Sequence, residues 1–141
     1  GDGPMKGEVE KAATRYIPKK LVFQGFVNQS QLGRYYRAAD LFVHPSNFET
    51  WGLVINEAMQ FGLPVVTSDQ VGCRIDLVKP GFTGFIFPAG DVEVLTSHLK
   101  HMLSNPALTR KMGQNAESLV GFYSIRSAAD GIDQAVRLAL S

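Results

Sequence analysis

Apolar residues in this chain follow two periods. Four short runs, Leu21–Gln24, Leu41–His44, Pro64–Thr67 and Gly84–Phe87, carry β-branched or aromatic side chains and predict strands. They are nearly continuous rather than alternating, which suits strands covered on both faces. Between them the pattern turns helical. Pro4, a residue favoured at the first helical position, opens a helix running to about Thr14. A second helix takes Ser30 as N-cap and ends before Asp40. A third covers about Trp51 to Phe61, with Thr50 as N-cap and Gly62 as the C-terminal stop. After Asp91, a further N-cap, residues Val92, Leu95, Leu99, Met102 and Leu103 recur at helical spacing. Pro106 opens the next helix. The last segment, Ser127 to Leu140, puts Ala128, Ile132, Ala135, Val136 and Ala139 on one face. Strands alternating with helices predict an α/β domain with a parallel sheet. The helical end of the chain, about 106–141, reads as a cap on that sheet or as a tail wrapping back onto a neighbouring domain.

Length and composition narrow the class. At 141 residues the chain suggests one domain, able to bury about two thirds of its unfolded surface. It is 45% hydrophobic and 19% charged, so it reads as globular rather than disordered. Its 14 basic and 13 acidic residues give a net charge of +1, no electrostatic argument for a nucleic-acid partner or an acidic membrane surface. No apolar run approaches the ~20 residues of a membrane span. Cys73 is the one cysteine, so no internal disulfide forms; this fits a reducing compartment. Cys73 reads as a small loop residue, with a reactive thiol as the alternative.

The chemistry concentrates between His44 and Thr67, HPSNFETWGLVINEAMQFGLPVVT. Glu49 and Glu57 stand eight positions apart in an otherwise apolar stretch, where an uncompensated carboxylate is costly. The third helix follows the strand Leu41–His44, and open α/β sheets bind ligands beyond the carboxyl ends of their strands. A helix N-terminus there offers unpaired N–H groups and partial positive charge. Gly52 removes a side chain where backbone would approach a ligand. Together these features suit a phosphate or diphosphate. Glu49 at the mouth and Glu57 nearly two turns on can each accept from a vicinal diol. Plainer readings stand beside this one. Glu49 suits a capping-region acid, and Glu57 suits a partner for a lysine or arginine at the domain edge.

The whole string carries more than the pair. His44-Pro45-Ser46, Glu49-x-x-Gly52-Leu53, Glu57-Ala58-Met59 and Gly62-x-Pro64-Val65-Val66 resemble the donor-site signature of retaining nucleotide-sugar glycosyltransferases of the family 4, group 1 type, marked by E-x7-E. Gly1-Asp2-Gly3-Pro4, Val22-Phe23-x-Gly25, Gly81-x-x-Gly84-Phe85 and Phe87-Pro88-x-Gly90-Asp91 are similar to further landmarks of that family's C-terminal domain, in consistent order over about residues 1–105. The resemblance implies a Rossmann-like parallel sheet with helices on both faces, the C-terminal half of a GT-B fold, incomplete at its N-terminus. It implies that residues 1–141 form a partial nucleotide-sugar donor domain, and that Glu49 acts catalytically by contacting the donor sugar hydroxyls. The amides of Gly52 and Leu53 would hold the distal phosphate, and Glu57 the ribose diol. Gly25, Phe26 and Val27 would meet the base, with Leu32 packing on it. The nucleotide sugar enters as substrate, without a cofactor or metal. The implied reaction is retaining glycosyl transfer (EC 2.4 type) by front-face displacement, the leaving phosphate helping to deprotonate the acceptor. The acceptor glycan or lipid would be bound through an N-terminal domain, and the full-length protein would be cytoplasmic, peripheral at a membrane.

Alternatives remain from other classes. A non-catalytic nucleotide-binding or interaction module of GT-B-like architecture predicts binding without transfer. A dinucleotide oxidoreductase lacks its G-x-G-x-x-G here, because Gly1-x-Gly3 runs into Pro4. Non-hydrolysing 2-epimerases share the architecture, but the E-x7-E string favours transferases. His44 reads as structural at a strand end. His98 and His101 have a metal-compatible spacing but no third ligand, and read as surface histidines. Tyr35 and Tyr36 read as packing residues. Arg74 and Asp76 sit in a loop that the family directs toward the donor, where a solvated charge is the plain reading of Arg74.

The family's phosphate-binding Arg and Lys precede the Gly-Asp-Gly-Pro turn, so the 141 residues alone are expected to be inactive. Without the strand that lies between them in the family, Leu21–Gln24 and Leu41–His44 are expected to expose edges, rearrange or self-associate. Static light scattering should then report assembly; a stable, soluble monomer contradicts the expectation.

Overall fold

The computed structural model describes residues 3–16 and 21–140. Its elements run α1 (Lys6–Tyr16), α2 (Gln29–Ala38), β1 (Phe42–His44), α3 (Leu53–Gln60), β2 (Val65–Ser68), α4 (Arg74–Leu77), β3 (Gly84–Phe87), α5 (Val92–Ser104), α6 (Pro106–Val120), a 3-10 turn (Gly121–Tyr123) and α7 (Ile125–Leu140). The chain divides into two units, Gly1–Tyr35 and Tyr36–Ser141, with the boundary inside α2. In the first unit, the Tyr35 hydroxyl donates to Gln24 Oε1 at 2.8 Å and the Arg34 guanidinium lies 4.9 Å over the Tyr35 ring.

The second unit is built on a parallel sheet of order β1-β2-β3. Phe42 pairs with Val65 and Val66 with Phe85, so β2 is the central strand. All four of its side chains are buried, as a strand covered on both faces requires. Successive side chains point to opposite faces, and the core divides accordingly. Val65 joins Ile55, Met59, Leu77, Ala116 and Val120 in one cluster. Val66 joins Phe87, Met102 and Met112 in the other. Helix α3 thus covers one face and α5 the other, while α6 contributes to both clusters. The fold is α/β with a parallel sheet flanked by helices.

Most elements follow their sequence signals. The Asp91 carboxylate caps α5 by accepting from the Val94 amide at 2.9 Å. Pro106 stands at the start of α6. Gly62 closes α3 in a left-handed conformation, φ +71°. Three expectations need correction. Leu21–Gln24 is not a strand, and its apolar residues Leu21, Val22 and Phe23 are exposed. An apolar run becomes a strand only where a neighbour takes its backbone hydrogen bonds, and among the described residues none does. The N-cap of α3 is Gly52, not Thr50. The segment after Val71-Gly72 is not a loop but the one-turn helix α4. No described helix is long and apolar enough to cross a membrane.

Beyond the strand ends, the segments after β1 and β2 stay paired. The Glu49 amide donates to Gln70 O at 3.1 Å, the Gly72 amide to Glu49 O at 2.9 Å and the Cys73 amide to Trp51 O at 2.9 Å. This contact needs glycine at position 72, where a Cβ would fall 1.9 Å from Thr50 O. The obstacle is backbone and cannot swing aside. Gly72→Ala should therefore cost about 1–3 kcal/mol as overpacking does, read as a lowered urea midpoint. An unchanged midpoint would show that the two segments are not tightly joined.

Candidate functional site at the mouth of helix α3

This pairing places Glu49 and the start of α3 at the carboxyl ends of β1 and β2. Glu49 forms a parallel bridge with Val71, which fixes its backbone. Its side chain is half-buried, and among the described residues its carboxylate has no hydrogen-bond or ion-pair partner. Gly52 lies against it. A Cβ on Gly52 would meet Glu49 Cγ at 3.4 Å, Val71 Cγ1 at 3.0 Å and Cys73 Sγ at 3.5 Å. Gly52 also has φ +98°, a left-handed conformation that costs other residues roughly 1–2 kcal/mol. The sequence assigned Gly52 to close approach of backbone; the structure adds this second demand.

At the mouth itself, the Ile55 amide donates to Gly52 O at 2.9 Å. Among the described residues, the amides of Gly52, Leu53 and Val54 donate to no backbone carbonyl, and Gly52 offers no side chain to cap them. Three N–H donors at a helix start are what an anionic ligand requires. Val54 belongs with Gly52 and Leu53 on this account, although its apolar side chain gave no sign of it.

Glu57 lies further along α3, half-buried. Among the described residues its partner is not a lysine or arginine. The Tyr36 hydroxyl donates to Glu57 Oε2 at 3.0 Å. Burial first, then the neighbouring carboxylate, pushes that hydroxyl up to about 12, so it stays protonated and donating. Tyr36 also stacks on Phe61 with centroids 5.4 Å apart and meets Phe42 edge-on at 6.0 Å. The packing expected of Tyr36 is real, but its bond to Glu57 had no local signal. The two residues are 21 positions apart on different helices.

Gly25, Phe26, Val27 and Leu32 belong to the first unit. Gly25 has φ +63°, Phe26 is largely exposed, and Val27 and Leu32 are half-buried. Around the second unit's site, His44 stacks on Phe42, and among the described residues its buried Nε2 has no hydrogen-bond partner. The Arg74 guanidinium donates to Val71 O at 3.0 Å and is part-buried, so it is not the freely solvated charge the sequence suggested. His98 and His101 both pack on the Phe85 ring, at 4.6 and 5.8 Å. Among the described residues no group of three His, Cys, Asp or Glu side chains is placed to hold a metal.

Fold and site define an α/β domain with an anion-competent helix mouth beyond the carboxyl ends of its strands. The chain belongs to the glycosyl transferases group 1 family, whose sequence profile matches residues 1–119. It is 38% identical over 135 residues to the sulfoquinovosyl transferase of Arabidopsis thaliana, covering 94% of this chain and 26% of that protein. Among solved structures, the sucrose-phosphate synthase of Thermosynechococcus elongatus superposes with a TM-score of 0.84 at 30% identity, covering 99% of this chain and 35% of that one. HepE from Anabaena in complex with UDP-glucose gives 0.81 at 25% identity, covering 93% and 36%. These neighbours place the fold with the GT-B glycosyltransferase domains. The chain spans about a quarter to a third of the length of these relatives.

Cys73 lies in the turn that opens α4, as its N-cap. It is fully buried at the start of α4, and burial pushes its thiol up to about 11. The unfolded thiol ionises near 9.0, so this group's contribution to stability is complete below that pH and fades as pH rises toward 11. At pH 8, iodoacetamide should leave native Cys73 unmodified and label it only in denaturant; fast labelling of the native protein would contradict its burial.

Proposed function

We propose that this chain is the donor-binding domain of a retaining, nucleotide-sugar-dependent glycosyltransferase of EC 2.4 type. One observation carries the reading. Among the described residues, three unpaired amides at the mouth of α3 stand beside the unpartnered carboxylate of Glu49, with Glu57 on the same helix. On this reading the amides of Gly52 and Leu53, with Val54, hold the distal phosphate. Glu49 accepts from hydroxyls of the donor sugar and is the catalytic carboxylate. Glu57 accepts from the ribose diol. Gly25, Phe26, Val27 and Leu32 are the proposed residues for the base.

Those roles fit the chemistry of the bond to be broken. Cleaving a glycosyl–phosphate bond builds negative charge on the leaving diphosphate, and fixed amide dipoles stabilise such charge without reorganising. The leaving phosphate then takes the acceptor proton on the same face of the sugar, so the anomeric configuration is retained and no protein nucleophile is needed. No metal or cofactor is proposed; the nucleotide sugar is the substrate. The activity is proposed for the whole protein, with the acceptor glycan or lipid bound by the share of the relatives' length that this chain does not span. The chain alone is proposed to be inactive. A cytoplasmic site, peripheral at a membrane, is proposed for the whole enzyme. The bound UDP-glucose of HepE supports a nucleotide-sugar donor, though its base and sugar are not carried over to this chain.

The test is turnover by the full-length protein with a screen of nucleotide-sugar donors. Glu49→Ala and Glu57→Ala should each lower turnover about tenfold or more, from lost charge-assisted hydrogen bonds. Wild-type kinetics in both variants would remove these assignments. Nucleotide binding without transfer from any donor would favour a non-catalytic binding module instead.

A further inference from the structure

We propose that Tyr36 is a positioning residue for donor binding: its hydroxyl fixes one oxygen of Glu57 and leaves the other free to accept from the ribose diol. The inference rests on the reading of Glu57 as the diol acceptor. A glutamate reaches its ligand through three rotatable bonds, and ordering them opposes binding. Here the order exists beforehand. The Tyr36 ring is held by Phe61 at 5.4 Å and Phe42 at 6.0 Å, and the Arg37 guanidinium lies 5.6 Å over Phe61. The ring is thus held by the C-cap of α3 and by β1 while its backbone belongs to α2. Its hydroxyl then donates to Glu57 Oε2 at 3.0 Å. Among the described residues nothing engages Oε1.

The kind of partner matters. An arginine would engage both carboxylate oxygens at once and neutralise the charge. A neutral phenol occupies one oxygen, leaves the negative charge in place and adds no competing cation. Burial keeps that phenol protonated far above neutral pH, so it remains a donor to the carboxylate. The bond therefore sets the direction of Glu57 without consuming its capacity to accept.

Calorimetry on the full-length protein tests this, with UDP, GDP and ADP as probes and each one's 2′,3′-dideoxy counterpart. The wild type should prefer the ribose form of its best nucleotide by about tenfold or more, the scale of charge-assisted hydrogen bonds. Glu57→Ala should abolish the preference. Tyr36→Phe keeps the packed ring and should cut the preference by about threefold or more, with dideoxy affinity and melting temperature near wild type. If Glu57→Ala keeps the preference, or no nucleotide binds, the diol reading itself fails and the inference with it. If Glu57→Ala loses the preference and Tyr36→Phe retains it, positioning by Tyr36 is overturned while the diol reading stands. Equal weakening of both nucleotide forms in Tyr36→Phe would reduce Tyr36 to a packing residue and also overturn the proposal.

Discussion

Three backbone hydrogen bonds tie residues 49–51, after β1, to residues 70–73, after β2. Pairing that usually ends with the strands continues here into the loops. These bonds hold the half-buried Glu49 carboxylate close to Gly52, and they bring Val71 and Cys73 beneath that glycine. The join is close enough to admit no side chain at Gly72, where a Cβ would meet the Thr50 carbonyl. Side chains reinforce it from the strand ends. The Thr67 hydroxyl donates to His44 O at 3.1 Å, and the Ser68 hydroxyl donates to Ser46 O.

The helix mouth follows from this join. With the chain fixed up to Gly52, α3 starts abruptly, its first amides left unpaired among the described residues because a left-handed glycine stands where a capping side chain would. That is a local cost which only an anionic ligand, or water, relieves. One and a half turns later the same helix delivers Glu57 to Tyr36, whose ring is held by Phe42 and Phe61. Two carboxylates on one short helix and its entry loop are therefore fixed by different means, Glu49 through its backbone and Glu57 through its side chain. The apolar clusters on both faces of β2 supply the rigid support that both devices need.

Much of this was legible in the residues. The strands around Val43, Val66 and Phe85 announce themselves by short β-branched and aromatic runs, and α5 by Asp91 with its recurring leucines. The E-x7-E string pointed to the candidate site, and family membership agrees with the resemblance it carried. What was not legible depended on distant partners. Leu21–Gln24 has strand composition, but composition cannot supply a neighbour. Thr50 is a good capping residue by type, yet its carbonyl is packed against Gly72, and the cap moves on to Gly52. Cys73 looked inconsequential because it is buried in a cluster with Ile55, Ala116 and Val120, far away in sequence. Tyr36 looked like core because nothing in local spacing links it to Glu57.

The central claim is that the unpaired amides at the start of α3 receive the diphosphate of a nucleotide sugar. The most direct measurement is amide nuclear magnetic resonance on the full-length protein, labelled with ¹⁵N at glycine, leucine and valine, titrated with UDP, GDP and ADP. The account predicts that at least one of these nucleotides shifts the Gly52, Leu53 and Val54 amides saturably and further downfield than other labelled amides. Saturable binding that leaves those three resonances in place would contradict it.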